Sequence, residues 1–324
     1  MMPTPIRELV LNQHELKDVN HLLNQILGDT EEIGLEELLS KCFVLSHRLP
    51  ERIKQFVYDF KTTEHSPGIL IRHPEPPFDV AFTPEFLVTH RRETVTRDEV
   101  LHILYATLVG YVIAWNSIQN GNLVNHVLPI RSHENKLLSS GSANKFELHT
   151  EDAFHPYAEE FLSLLCMRNP YKVSTDIAFL GDVELPEDVK ELLFQPQFVI
   201  GANLAHTVNQ PKDRRSILFG NRESPYFRLN LNMLNMDLLE QSAKDALDFF
   251  INGLKEVEQS VVLGAGDVLF LDNFRTAHGR PPYLPAYDGS DRWLKRLYIT
   301  TDLRKSRDLR ESAASRLIKT KTRR

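Results

Sequence analysis

The stretch Glu147-Leu148-His149-Thr150-Glu151-Asp152-Ala153-Phe154 places a histidine and a carboxylate two positions apart at the end of a predicted β-strand. Side chains two apart on a strand share one face, so His149 and Glu151 converge while Asp152 points away. The pair offers two ligands for a metal ion. Alone it is weak evidence, because a chain with 13 His and 44 acidic residues contains such triplets readily by chance.

A third ligand is available in His278, which lies in Leu271-Asp272-Asn273-Phe274-Arg275-Thr276-Ala277-His278-Gly279-Arg280, just after a predicted strand. Two imidazoles and one carboxylate form the facial triad that binds Fe(II) and leaves positions open for reactants. The same donors also make catalytic zinc sites, so a zinc hydrolase is a rival interpretation, although the chain lacks the helical His-Glu-x-x-His pattern. His133, His155 and His206 are rival ligands without a paired spacing, and we expect them to be polar surface or pocket residues.

Arg292 and Arg296 favour a catalytic site over a structural one. A strand is predicted at Trp293–Thr300, directly after Arg292, and Arg292, Leu294 and Arg296 would share one strand face. A buried guanidinium binds a carboxylate through two hydrogen bonds, as the distal end of 2-oxoglutarate requires. Two inward arginines therefore predict two anions, the carboxylate of that cosubstrate and a carboxylate on the primary substrate. The alternative is a pair of solvent-facing arginines in salt bridges.

The predicted secondary structure changes from mainly helical to mainly β about a third of the way along the chain. Helical periodicity predicts helices at 15–27, 51–60, 96–115, 186–194 and 236–257. Short β-like runs lie at 124–130, 159–167, 197–200, 260–263, 267–271 and 293–300. We expect a single domain over 1–324, with a mainly helical part at 1–120, a β core with insertions at 121–303 and a basic, solvated tail at 304–324. The polar segment 206–228, which includes Pro211-Lys212-Asp213-Arg214-Arg215, is either an active-site lid or a solvated excursion.

Composition favours a small-molecule partner in a reducing compartment. A net charge of -6 argues against a nucleic-acid binder, whose phosphate contacts need a basic surface. Cys42 and Cys166 have no metal-binding or disulfide spacing, and both read as core thiols. The first residues lack a signal-peptide pattern, and no apolar stretch is long enough to span a bilayer. We therefore expect a cytoplasmic protein without a membrane partner, and we assign no oligomeric state.

From about residue 100 to 307, several ordered motifs resemble those of the clavaminate synthase-like Fe(II)- and 2-oxoglutarate-dependent oxygenases, in particular the group of asparagine oxygenases and arginine hydroxylases. The matching stretches are Val127-Leu128-Pro129-Ile130, Leu138-Ser139-Ser140, His149-Thr150-Glu151-Asp152-Ala153-Phe154, Arg168-Asn169-Pro170, His278-Gly279-Arg280, Tyr287-Asp288-Gly289 and Asp291-Arg292-Trp293-Leu294-Lys295-Arg296.

The resemblance implies a mainly β fold, a double-stranded β-helix or jelly roll covered by α-helices, with an active-site lid loop. It implies Fe(II), 2-oxoglutarate and O2 as reactants, with hydroxylation at the β-carbon of a free L-amino acid. The implied iron ligands are His149, Glu151 and His278; the implied 2-oxoglutarate contacts are Arg292 and Thr175; the implied substrate contacts are Arg296, Ser139 and Glu151.

This sequence departs from the group at two places. Asn230 and Asn232 stand where the arginine hydroxylase has two aspartates that hold a guanidinium, which favours a neutral polar side chain. Ile118 stands where relatives place a Gln or Glu near the substrate amino group, unless the adjacent Gln119 takes over. A modified or carrier-bound amino acid therefore stays open as an alternative. Two alternatives do not depend on these departures: an oxygenase that desaturates or cyclises its substrate, and a noncatalytic barrel that binds small acids, against which the intact triad argues.

Overall fold

Two β-sheets form the centre of the computed structural model, which describes residues 3–28, 32–206, 208 and 213–320. The helices in those residues are α1 (Gln13–Leu27), α2 (Leu35–Ser46), α3 (Glu51–Thr63), α4 (Arg97–Val109), α5 (Glu187–Phe194) and α6 (Gln241–Glu256). The strands are β1 (Arg7–Val10), β2 (Glu32–Gly34), β3 (Gly68–Arg72), β4 (Thr94–Thr96), β5 (Tyr111–Trp115), β6 (Asn125–Val127), β7 (Phe146–His149), β8 (Phe161–Arg168), β9 (Thr175–Phe179), β10 (Phe198–Val199), β11 (Arg214–Arg215), β12 (Leu218–Gly220), β13 (Pro225–Phe227), β14 (Gln259–Val261), β15 (Val268–Asp272), β16 (Thr276–Arg280), β17 (Trp293–Thr300) and β18 (Leu317–Ile318).

The large sheet has the strand order β1-β3-β15-β8-β17-β5-β18, with β6 also paired to β17. The smaller sheet has the order β14-β9-β16-β7. Apolar side chains of both sheets meet in one buried cluster, in which Ile177 of β9 joins Leu162 of β8 and Leu294 of β17. The two sheets therefore face each other as the layers of a jelly roll.

Helices cover the outer face of each sheet. Helices α3 and α4 bury their apolar sides against the outer face of the large sheet, where Leu165 and Leu297 point, and α1 and α2 pack on α4 in the same apolar cluster. Helix α6 does the same on the smaller sheet, where Phe250 packs in one cluster with Ala277 of β16. Capping boxes start α1 at Asn12 and α4 at Thr96, because in each helix the carboxylate at N3 returns a hydrogen bond to the N-cap backbone. The predicted helix-covered jelly roll is confirmed.

One predicted helix is too long. The expected helix at 96–115 ends at Val109, and Tyr111–Trp115 forms strand β5, which pairs with β17. Gly110 allows the change of direction, because a Cβ there would lie 2.5 Å from the carbonyl oxygen of Thr300. The apolar run after Gly110 was read as helix because a short buried strand has no amphipathic period of its own.

The segment expected to be a lid is more ordered than its polar composition indicates. Its described part contains strand β11 and a β12–β13 hairpin, and Ile217, Leu218 and Phe227 are fully buried. Residues 207 and 209–212, which include the Pro211-Lys212 part of the motif, lie outside the described residues.

The basic segment after residue 303 is not simply solvated in its described part, which corrects the expected tail. Strand β18 pairs in parallel with β5 at the edge of the large sheet. Arg310 is buried and donates to the carbonyl oxygens of Leu303 and Ala313. Residues 321–324 of that segment lie outside the described residues.

The two cysteines are core residues of the fold. Cys42 and Cys166 are both buried and unpaired, and burial raises the pKa of each thiol to about 12, as expected of core thiols. Within the described residues, every helix is too short or too polar to cross a bilayer.

Candidate metal centre and active site

Three predicted ligands meet on the smaller sheet. His149 ends β7 and His278 lies in the middle of β16, and the two are direct partners in the antiparallel register. Their ring centroids are 4.3 Å apart. Glu151 follows β7, and one ligand atom from each of the three residues lies within 4.8 Å of the others. All three side chains are buried.

Hydrogen bonding prepares His149 to act as a ligand. Its Nδ1 lies 2.9 Å from the carbonyl oxygen of Glu147, which can only accept, so Nδ1 carries the proton and Nε2 is left for a metal. Burial lowers the pKa of His149 to about 4, which keeps the ring neutral at neutral pH. A neutral imidazole, a second imidazole and a carboxylate are a donor set that fits Fe(II).

The position of Glu151 is fixed through both its backbone and its side chain. Its N–H donates to Oδ1 of Asn273 (2.7 Å), and Nδ2 of Asn273 donates to its carbonyl oxygen (3.1 Å). Nη1 of Arg296 lies 2.5 Å and Nε2 of His278 lies 3.4 Å from Glu151 Oε1. Burial would raise the pKa of Glu151, but Arg296, His278 and His149 together more than offset it, so the pKa lies below its usual range.

Asn273 is a site residue that sequence reasoning missed. It lies in the turn between β15 and β16, five positions before His278 in the same quoted stretch, and it is buried. An asparagine in a turn is ordinarily read as a local turn residue. Its contact with Glu151 is long-range, so only the proximity to His278 could have drawn attention to it.

Beside the triad a pocket opens between the two sheets. Its lining residues are Val127, Ser139, Phe146, Glu151, Leu164, Thr175, His278, Gly279, Arg280, Arg292, Leu294 and Arg296. The predicted shared face of Arg292, Leu294 and Arg296 is confirmed, and the solvent-facing alternative is wrong because both guanidinium groups are buried.

Arg292 is poised to receive an anion in this pocket. Its Nη2 donates to Oγ1 of Thr175 (3.3 Å), while its Nε has no hydrogen-bond partner among the described residues. Burial lowers the pKa of Arg292. A buried guanidinium with an unused donor is stabilised by a carboxylate that accepts from it in the fork geometry.

The other predicted substrate residues are placed less directly at the pocket. Ile118 is buried in the apolar cluster between the sheets. The amide of Gln119 is engaged by the backbone of His126, with Nε2 donating to its carbonyl oxygen and Oε1 accepting from its N–H. Asn230 forms a β-bridge with His149 and accepts at Oδ1 from the N–H of Asn232. None of these four lines the pocket that contains Arg292.

The rival histidines have other partners. His206 lies in a buried chain in which its Nε2 is 2.6 Å from Asp152 Oδ1 and its Nδ1 is 2.7 Å from Ser117 Oγ. This chain ties the start of the predicted lid segment to the residue after Glu151. His133 contacts Ser140 through Nδ1, and His155 packs edge-on against Trp115. None of the three belongs to the metal-binding group found in the described residues.

A second pocket adjoins Glu151 from another side. Its lining residues are Thr150, Glu151, Ala153, His155, Pro156, Tyr157, Ala158, Glu160, Phe219, Phe227, Arg228, Asn273, Phe274 and Lys305. Phe219, Phe227 and Arg228 come from the segment predicted to be a lid, so the described part of that segment borders the metal centre.

Comparison with known proteins agrees with this geometry. The family model described as Taurine catabolism dioxygenase TauD, TfdA family matches residues 195–298. The L-ornithine/L-arginine 3-hydroxylase of Catenulispora acidiphila is 32% identical over 97% of this chain and 100% of its own length. The enduracididine beta-hydroxylase of Streptomyces hygroscopicus is 30% identical over 96% of this chain and 99% of its own length.

Solved structures show the same likeness. The non-haem iron oxygenase OrfP in complex with Fe and alpha-ketoglutaric acid superposes with a TM-score of 0.87 at 34% identity, covering 97% of this chain and 100% of that chain. Asparagine oxygenase, at 24% identity and a TM-score of 0.89 over 97% of this chain and 99% of its own, shares the fold. The chain therefore belongs to the clavaminate synthase-like family of non-haem iron, 2-oxoglutarate-dependent oxygenases.

Proposed function

We propose that this enzyme hydroxylates the β-carbon of a free L-amino acid. The observation that carries the proposal is the position of Arg296, which lies on the same strand face as Arg292 and contacts the carboxylate of Glu151 at 2.5 Å. One arginine is available for the cosubstrate, and the second lies where a carboxylate of the substrate would be held beside the metal centre. The relatives that hydroxylate ornithine, arginine and enduracididine support an amino acid as that substrate.

In this proposal the residues of the centre bind the metal, and the surrounding protein orients the reactants. His149, Glu151 and His278 hold Fe(II). When bound, the iron supplies the oxidising chemistry that inserts one oxygen atom into a C–H bond as 2-oxoglutarate is converted to succinate and carbon dioxide. The protein binds and orients the reactants, so that the carbon to be oxidised is held at the metal and water is kept out.

The anion-binding residues divide between the two reactants. Arg292 and Thr175 hold the distal carboxylate of 2-oxoglutarate, and Arg296 with Ser139 holds the α-carboxylate of the amino acid. Glu151 accepts from the substrate amino group. Asn230 is buried beside His149, and its Oδ1 already accepts from Asn232, so it offers its Nδ2 donor to an acceptor on a neutral polar side chain.

The test is anaerobic reconstitution with Fe(II) and 2-oxoglutarate, followed by oxygen exposure across a panel of L-amino acids. Substrate-stimulated succinate release, with a product heavier by one oxygen atom, supports the proposal, and NMR of the product locates the hydroxyl. A product lighter by two hydrogen atoms indicates a desaturase. Succinate release that no free amino acid stimulates would refute the proposed substrate and direct the search to modified or carrier-bound amino acids.

Two variants test the assigned roles. His149→Ala should lose iron retention, and undiminished iron content would remove it from the triad. Arg292→Ala should raise the KM for 2-oxoglutarate by about 100-fold, because it removes two charge-assisted hydrogen bonds of about 1.5 kcal/mol each. An unchanged KM for 2-oxoglutarate would exclude the role given to Arg292.

A further inference from the structure

Buried polar atoms without partners lie next to Arg296, at the end of its strand away from Arg292. Both carboxylate oxygens of Glu159 and the hydroxyl oxygen of Tyr298 have no hydrogen-bond partner among the described residues. Both side chains are fully buried. Buried polar groups are nearly always hydrogen-bonded, so a carboxylate with two unused oxygens indicates that something else occupies its contact surface when the protein works.

Asn273 joins the backbone of Glu159 to that of Glu151. The Nδ2 atom of Asn273 donates to the carbonyl oxygens of both Glu151 (3.1 Å) and Glu159 (2.9 Å), so one amide nitrogen joins the two backbones. Tyr298 lies two residues after Arg296 on strand β17 and contacts its guanidinium group. Its ring centroid is 4.7 Å from the Arg296 guanidinium carbon, and its register partner is Leu162 of β8, the strand that follows Glu159.

Glu159 differs from the other buried glutamates in forming no salt bridge within the described residues, although the charge of Arg296 acts on it. Glu151 is paired with Arg296, and Glu99 is paired with Lys295 and Arg92. An ionised carboxylate that is buried without a partner costs several kcal/mol. Burial, reinforced by the charges of Asp152 and Glu151, raises the pKa of Glu159 well above its usual range. The site is therefore one that a bound cation would stabilise.

The amino acid proposed as substrate carries a cation, its α-ammonium group, next to the carboxylate that Arg296 would hold. An α-ammonium group has three N–H donors, of which Glu151 can accept one. The positions expected to supply a second acceptor do not, because Ile118 is apolar and the Gln119 amide is engaged by the His126 backbone. The backbone of Glu159 is joined to that of Glu151 through Asn273, the charges of Glu159 and Arg296 act on each other, and both carboxylate oxygens of Glu159 are unused within the described residues.

We propose that Glu159 binds the α-ammonium group of the amino-acid substrate together with Glu151, and so selects amino acids over acids that lack the ammonium group. This inference rests on the proposed function. It gives a specificity-determining role to a carboxylate that is neither a metal ligand nor a residue of the Arg292 pocket.

The experiment compares kcat/KM for the amino acid identified in the panel with kcat/KM for its 2-hydroxy acid analogue, in which a hydroxyl replaces the ammonium group. The wild type should prefer the amino acid strongly. Glu159→Gln keeps the size and one acceptor but removes the charge, and it should lower that preference by about 10-fold or more, as expected for loss of a hydrogen bond to a charged group. Glu159→Asp should keep most of the preference.

Glu15→Gln is the matched control. It makes the same chemical change at another buried carboxylate, which lies on helix α1 and pairs with Arg52, and it should leave the preference unchanged. Thermal unfolding checks that Glu159→Gln is folded; its stability should not fall, because the variant removes an uncompensated buried acid. A wild type that uses the amino acid and the hydroxy acid equally well would overturn the proposal without any variant.

Two further outcomes separate this inference from the proposed function. If the wild type hydroxylates an amino acid but Glu159→Gln leaves the preference within about twofold, the inference is wrong and the function stands. It is also wrong if the variant changes only the choice between L-ornithine and L-norvaline, because Glu159 would then face the substrate side chain. If no free amino acid stimulates the wild type, the proposed function fails and this inference falls with it.

Discussion

Lys295 and Arg296 are consecutive residues of strand β17, and their side chains point to opposite faces of the large sheet. On the outer face, Nζ of Lys295 lies 2.5 Å from Asp98 and 2.7 Å from Glu99, both on helix α4. On the inner face, Nη1 of Arg296 lies 2.5 Å from Glu151. Both cations are buried and both contact a buried carboxylate, so burial and charge alone do not distinguish the two sites.

The two faces of the strand differ in whether each buried carboxylate has an ion-pair partner. On the outer face each carboxylate has a cation, and Glu99 also binds Arg92 at 2.7 Å. On the inner face, Arg296 Nε, Tyr298 Oη and both oxygens of Glu159 have no hydrogen-bond partner among the described residues. Asp98 Oδ2 and His126 Nε2 on the outer face also have no hydrogen-bond partner among the described residues, but Asp98 forms an ion pair with Lys295. Carboxylates paired with a cation fix helix α4 on the sheet, whereas Glu159 forms no salt bridge among the described residues and is open to a cationic ligand. A buried carboxylate without an ion pair therefore distinguishes the inner face of this strand.

The largest expected effect is on stability, at Lys295. Lys295→Met leaves Asp98 without its ion-pair partner and Glu99 with only Arg92 and His126, which should lower the free energy of unfolding by about 3 kcal/mol. Urea denaturation measures the loss. The control is Lys319→Met, which removes an exposed ion pair with Glu311 and should cost less than about 1 kcal/mol. Equal losses in the two variants would show that the outer cluster does not stabilise the fold.

The next effect is on substrate use, at Arg296. Arg296→Met should raise the KM for the amino acid by about 100-fold, because two charge-assisted hydrogen bonds to its carboxylate are lost. The KM for 2-oxoglutarate should change far less, since Arg292 and Thr175 are untouched. Steady-state kinetics with each reactant varied in turn measures both values. Equal increases in the two KM values would contradict the division of roles between the two arginines.

The features that are local in sequence were predictable. Alternation along a strand placed His149 and Glu151 together and put Arg292, Leu294 and Arg296 on one face. Local periodicity also gave the start of helix α4 and the bounds of β17. The pairing of β7 with β16, by contrast, is set by long-range register, so the sequence suggested His278 as a partner without indicating that it lies directly opposite His149.

The features that were missed depend on contacts distant in sequence. In Tyr157-Ala158-Glu159-Glu160-Phe161, two adjacent acids look like solvated charges, yet Glu159 is fully buried and its backbone is held by Asn273. Gln119 was a candidate for the substrate amino group, but it adopts a positive φ of 40° and its amide binds the His126 backbone. Neither arrangement follows from residue type or spacing, because each is created by the packing of a distant segment.

A smaller effect is expected at Asn273, which supports the inner face without touching a reactant. Asn273→Ala removes the hydrogen bonds to the Glu151 backbone and should weaken Fe(II) binding by about 10-fold, as expected for a residue that orients a metal ligand. Anaerobic titration of the apoprotein measures the affinity. Asn169→Ala is the matched control, since Asn169 bridges the backbones of Val173 and Leu263 in the same manner. Equal weakening in both variants would assign the effect to general destabilisation.

The smallest effect is a dependence of stability on pH at the outer cluster. Burial would raise the pKa of Glu99, but Lys295, His126 and Arg92 together more than offset it, so the folded-state pKa lies below the value of about 4.3 expected for an unfolded chain. The ionised form is therefore favoured by folding, and its contribution is present above that value and is lost as the pH falls towards the folded-state pKa. The stability difference between wild type and Glu99→Gln should be largest near neutral pH and should narrow at pH values below about 4.3. Urea denaturation across that range measures it. A difference that stays constant or widens would mean that Glu99 is not held as an ionised partner of Lys295, and the contrast between the two faces of β17 would then rest on packing rather than on charge.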